Sequence, residues 1–86
     1  MIKKYYLSGG DNMNRGIETI PNLSKREIEV LTWSKEGKSS WEISAILNIS
    51  ERTVNFHVNN IMQKLNAVSR TQAVAVAIER GLINSE

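Results

Sequence analysis

The chain has 86 residues, a formal charge of +2, 41% apolar residues and no cysteine. That length suits one small domain whose stability comes from a single core, with no disulfide framework or thiolate metal site. One proline and 6% aromatic residues argue against a many-turned β fold. The mild positive charge permits a nucleic-acid partner without requiring one. No apolar run approaches the roughly 18 residues that a membrane span needs. "MIKKYYLSGG" lacks the apolar stretch of a signal peptide. A cytoplasmic protein with no membrane partner is the expectation.

Residues 1–22 include "LSGGDNMNRGIETIPN", rich in turn formers and without sustained periodicity. They read as a flexible tail or interdomain linker, with Ile17, Ile20 and Leu23 able to fold back on the domain that follows. Residues 23–86 read as that domain. Ser24 and Glu27 have the spacing of a capping box, with Leu23 and Ile28 at the positions of a hydrophobic staple. The first helix runs to about Lys35 and stops at Gly37, with Val30 and Leu31 in the core.

Ser39 and Glu42 repeat the box. A short second helix, "WEISAILN", buries Ile43, Ile46 and Leu47 and stops near Asn48, a residue that tolerates a left-handed turn. Ser50 caps a third helix, with Ile49 and Val54 as staple. Val54, Val58, Ile61 and Leu65 form its apolar stripe, and Asn66 ends it. Ser69 and Gln72 make a third box, with Val68 and Ala73 as staple. The fourth helix, "RTQAVAVAIER", ends at Gly81, and Leu82 and Ile83 tuck back on the core. The fold class is therefore all-α: four helices after a flexible tail. Two or three residues between the second and third helices is the length of a helix-turn-helix corner.

At about 100° per residue, the stripe of the third helix fills one narrow arc. Arg52, Asn55, Phe56, Asn59 and Gln63 spread over the opposite half. Amides pair bidentately with the N6/N7 edge of adenine, arginine reaches guanine or phosphate, and a phenyl ring meets a thymine methyl. Ser39, Ser40 and Thr53 lie at helix starts, where hydroxyls and unpaired N–H groups suit phosphate oxygens. Taken singly, an exposed amide is ordinary surface, and helix pairs also occur in proteins that bind no DNA. The reading rests on the amides lying on the second helix of a tight corner.

The residues that carry this pattern, "LSKREIEVL", "EGKSSWEIS", "ISERTVNFHVNNIMQKL" and "SRTQAVAVA", are similar in order and spacing to the DNA-binding domain of LuxR-type transcription regulators. The resemblance spans residues 23–83, and "WEIS" and "TVNFH" resemble the quorum-sensing branch. It implies a sequence-specific transcription regulator that binds double-stranded DNA with the third helix in the major groove. The family's base-contacting positions fall on Asn55, Phe56 and Asn59, and Thr53 matches a phosphate-contacting one. Several relatives carry Lys or Arg where this chain has Asn55 and Asn59, which points to adenine rather than guanine. Lys38, Arg52, Lys64 and Arg70 are phosphate partners by charge.

The fourth helix is apolar on nearly every side. With Ala73, Val74, Ala77 and Ile78 inward, Ala75 and Val76 face outward beside Gln72 and Glu79. The family dimerises through this helix. The patch is far below a standard interface of roughly 800 Å² per partner, so a homodimer is expected on DNA, reading a two-fold symmetric site. RNA polymerase is a further candidate partner.

Other chemistry finds little support. His57, the only histidine, has no nearby ligand partner and borders the apolar arc, which suits packing or a phosphate bond. Trp33 and Trp41 read as partly buried at the domain edge. There is no Gly-rich phosphate loop and no nucleophile constellation, so neither an enzyme nor a cofactor or metal site is expected. The rival reading is a protein-interaction module that pairs with full-length relatives through the fourth helix. The chain reads equally as a stand-alone regulator or as a piece of a larger one with residues 1–22 as linker; Met1 and Met13 do not decide between them.

Overall fold

The computed structural model describes residues 22–85. The flexible tail expected over residues 1–22, with the fold-back of Ile17 and Ile20, lies outside the described residues except for Asn22. Four helices follow: α1 (Lys25–Lys35), α2 (Ser40–Leu47), α3 (Glu51–Leu65) and α4 (Arg70–Glu79). Among the described residues there is no strand, and no helix is long and apolar enough to cross a membrane.

Each helix starts on a serine whose hydroxyl accepts the backbone N–H of the third helical residue. The capping boxes Ser24–Glu27 and Ser39–Glu42 close in both directions. The third expected box does not. Gln72 Oε1 accepts from the Val68 N–H, at 2.6 Å, not from that of Ser69. The cause is the backbone at the cap: φ is −152° at Ser69, against −71°, −75° and −73° at Ser24, Ser39 and Ser50. This different entry angle presents the Val68 N–H to Gln72 and leaves the Val68 side chain 85% exposed, so the expected staple with Ala73 does not form.

All four helices stop the same way. Gly37, Asn48, Asn66 and Gly81 sit at φ of +88°, +58°, +54° and +73°. The N–H of the next residue then reaches back five positions, as from Ile49 to Ser44 and from Ala67 to Met62. Only Asn48, Ile49 and Ser50 separate α2 from α3, so the corner is one left-handed residue, one half-buried isoleucine and one cap.

The core draws on every helix: Val30 and Leu31, Ile43, Val54, Ile61 and Leu65, Ala73 and Ala77, closed by Leu23 and Ile83. Burial of each large side chain contributes about 1.5–3 kcal/mol. Small residues at 73 and 77 let α4 approach the other helices closely. Val58, Leu47, Ile49 and Leu82 pack half-buried around this centre. Ile46 is not a core residue as expected: α2 is a single short helix lying on one side of the core, and its far flank leaves Ile46 44% and Trp41 66% exposed. Trp33 is half-buried against the core. Val76 also departs from expectation. It packs partly on the core, so Gln72, Ala75 and Glu79 form the exposed side of α4.

Candidate nucleic-acid interface

Helix α3 is anchored on one face and open on the other. Val54, Ile61 and Leu65 are buried, whereas Arg52, Asn55, Phe56, Asn59 and Gln63 are exposed. Phe56 is 61% exposed, and among the described residues its ring meets His57 edge-on, with centroids 5.8 Å apart. An unsupported phenyl ring between two amides is costly surface in water and useful surface in a groove. His57 itself is half-buried, with Nδ1 buried and without a hydrogen-bond partner.

The hydroxyls at the helix starts differ in what they still offer. At the start of α3, Ser50 Oγ donates to Thr53 Oγ1 at 2.8 Å while accepting the Thr53 N–H at 3.0 Å. The Thr53 hydroxyl can accept this bond and turn its own O–H toward an outside acceptor. At the start of α2, Ser39 Oγ accepts the Glu42 N–H at 3.1 Å and also keeps its proton. Bonding from the Ser39 backbone N–H holds the Glu42 carboxyl below its usual range, so the cap stays ionised.

Ser40 is different. Its Oγ accepts from Arg70 Nη2 and donates to Asn55 Oδ1 at 2.7 Å. Arg70 Nη1 is also tied to the Lys38 carbonyl, at 3.3 Å. The structure thus joins four of the residues read separately from the sequence, Lys38, Ser40, Asn55 and Arg70, into one cluster where the starts of α2 and α4 meet the outer face of α3. Nothing in the sequence signals this cluster, because its hydrogen-bonded pairs are 15 to 32 positions apart.

Lys64 stands elsewhere. It lies in the last turn of α3, where its Nζ bonds Glu27 Oε1 at 2.8 Å and the Asn22 carbonyl at 3.2 Å. Burial alone would raise the Glu27 carboxyl, but the Lys64 ammonium and the Ser24 N–H outweigh it and hold the group below its ordinary value. Lys64 is thus engaged in holding α1 to α3 and contributes no free charge to the open face. Lys38 and Arg52 flank that face, half-buried and exposed respectively. Among the described residues, no group of three or more His, Asp or Glu side chains comes together to hold a metal ion.

The profile of the family described as bacterial regulatory proteins, luxR family, matches residues 21–77. The transcriptional activator protein SolR of Ralstonia solanacearum is 61% identical over 61 residues, which are 71% of this chain and 26% of SolR. The solved transcription factor GerE superposes with a TM-score of 0.71 at 34% identity, covering 74% of this chain and 96% of GerE. The Vibrio cholera VqmA–ligand–DNA complex superposes with a TM-score of 0.68 at 33% identity, covering 77% of this chain and 29% of VqmA. The chain spans about a quarter of the length of SolR. Four capped helices, a three-residue corner and an open polar face on the helix after it coincide with that match: the chain belongs to the LuxR family of bacterial regulatory proteins and carries its helix-turn-helix DNA-binding domain.

Proposed function

We propose that this domain reads a two-fold symmetric DNA site as a dimer, in the cytoplasm, with α3 in the major groove. The observation that carries the proposal is the exposed row Arg52, Asn55, Phe56, Asn59 and Gln63 on the helix that follows the tight corner. Asn55, Phe56 and Asn59 form the reading edge, with the Asn59 amide suited to adenine and Phe56 to a thymine methyl. Ser39 and Thr53, each with a hydroxyl proton in hand, bond phosphate oxygens, and Lys38 and Arg52 add the charge. The solved complex of the similar VqmA contains DNA, which supports the same use of the fold here.

The second copy docks through α4. Gln72, Ala75 and Glu79 are exposed, with half-buried Val76 between them, and a small residue at 75 admits a close helix–helix approach. The same stripe fits a longer relative, so heterodimerisation is the competing use of α4. RNA polymerase is the further partner that a transcription regulator engages once on DNA.

Selection of bound duplexes from a random pool at near-physiological salt tests the reading. Enrichment of an inverted repeat with half-sites about one helical turn apart is the expected result. Salt-sensitive binding with no enriched sequence would exclude autonomous readout and leave the heterodimer.

A further inference from the structure

We propose that Ser40 and Arg70 set the base preference of Asn55 by fixing which end of its amide is left for DNA. This rests on the reading of α3 as the DNA-reading helix. A carboxamide has an acceptor end and a donor end. Pairing with adenine uses both, since the oxygen accepts from N6 and the nitrogen donates to N7.

At Asn55 the oxygen is already engaged within the protein. Oδ1 accepts from Ser40 Oγ at 2.7 Å. The direction of that bond follows from its neighbour. A guanidinium only donates, so the Ser40 oxygen must accept from Arg70 Nη2. The single hydroxyl proton then goes to Asn55, and bonding to a cation makes the hydroxyl a stronger donor. With the amide reversed, Nδ2 would crowd a second N–H onto the same oxygen, and the Ser40 proton would have no acceptor within the cluster. Arg70 is held in turn by the Lys38 carbonyl, so the starts of α2 and α4 clamp the amide together.

What Asn55 offers outward is its pair of N–H donors. Their complement is an acceptor edge: O6 and N7 of guanine, or O4 of thymine. One lone pair of Oδ1 is taken by Ser40, so adenine N6 could use only the other, at the orientation that Ser40 imposes on the amide. The adenine preference that the residue type alone suggests is therefore reversed at Asn55 and kept at Asn59. Ser40 and Arg70 are positioning residues: they select a base through Asn55 without touching it.

Two measurements on the whole 86-residue chain test this. The first is side-chain ¹⁵N relaxation of the Asn55 amide in the DNA-free protein. It should be restrained in the wild type and in Ser40→Thr, which keeps a hydroxyl, and mobile in Ser40→Ala. The second is the base profile of selected sites, with Asn55→Ala marking the position that Asn55 reads. The wild type should favour guanine or thymine there over adenine by about tenfold, within the range of one good base contact. Ser40→Ala should admit adenine, and Ser40→Thr should restore the preference. An Asn55 amide as mobile in the wild type as in Ser40→Ala would overturn the clamp whatever the DNA result. Adenine selected at that position by the wild type, or one unchanged profile for wild type and Ser40→Ala, would overturn the specificity role. If the wild type enriches no site while the amide is restrained and then released, the DNA-reading proposal fails, and the role in specificity falls with it.

Discussion

Lys64→Met separates a lysine that holds the fold from one that holds DNA. Glu27 is 4% exposed, and its Oε1 is bonded by Lys64 Nζ at 2.8 Å and by the Ser24 N–H at 2.9 Å. Methionine keeps most of the apolar stem and removes the ammonium, leaving a buried carboxylate with one neutral donor. Breaking a fully buried pair costs about 3–5 kcal/mol. The Lys64 side chain is 38% exposed, so water screens part of that attraction, and the expected loss is about 2 kcal/mol. In a domain of this size that lowers Tm by roughly 10 °C.

The pH dependence has a definite sign. The folded Glu27 carboxyl lies below its ordinary 4.5, so the pair contributes stability that is complete above 4.5 and is lost as pH falls through the lowered value. Without Lys64 the lowering contributions of its ammonium are gone and the carboxyl moves up from its wild-type position, so the variant relieves its cost by taking up a proton in acid. The gap between wild type and variant in urea unfolding should therefore be widest at neutral pH and close as pH falls below 4.5 through the lowered value. Equal stability at neutral pH would refute the reasoning. If it came with a salt dependence of DNA binding reduced by about one phosphate contact, a slope change of about 0.9, Lys64 would be a phosphate ligand after all.

Four further outcomes are expected. Asn59→Ala should relax base choice at one position per half-site, costing about 1–3 kcal/mol on the preferred duplex. Arg52→Ala should instead weaken every duplex alike and reduce the salt slope by about 0.9; competition titrations at several salt concentrations distinguish the two. Asn48→Ala should lower stability by about 1–2 kcal/mol in a thermal melt, because the corner needs φ of +58°, while Asn48→Gly should not. Ala75→Arg should leave the melt unchanged and abolish joint occupation of two half-sites in a mobility-shift assay; undiminished pairing would remove α4 from the dimer.

The helices were legible because what starts and stops them is local. Each cap joins residues three apart and each left-handed stop is one glycine or asparagine, so Ser24, Ser39, Ser50, Gly37, Asn48, Asn66 and Gly81 all showed in the chain. The core stripe of α3 was legible for the same reason, since period alone decides which residues share a face. Val68 escaped because its fate turns on one backbone angle at Ser69, which the residue types do not determine.

The candidate site was legible only as far as type and face. Charge alone assigned Lys64 and Arg70 to phosphate, yet each meets an acceptor brought near by folding, Glu27 from 37 positions away and the Ser40 hydroxyl from 30. The hydroxyls make the distinction sharper. Ser40 and Thr53 both carry one proton and both sit near the start of a helix, so a reading by residue type gives them one role. Ser40 Oγ donates its hydrogen bond to Asn55 Oδ1, whereas Thr53 Oγ1 accepts from Ser50 Oγ and can turn its own O–H outward. In the proposed reading Thr53 donates to phosphate, as Ser39 does, while Ser40 acts through the edge that Asn55 presents to a base. On that proposal, the specificity of this interface depends on which hydrogen bonds the hydroxyls already make, and three-dimensional contacts decide that.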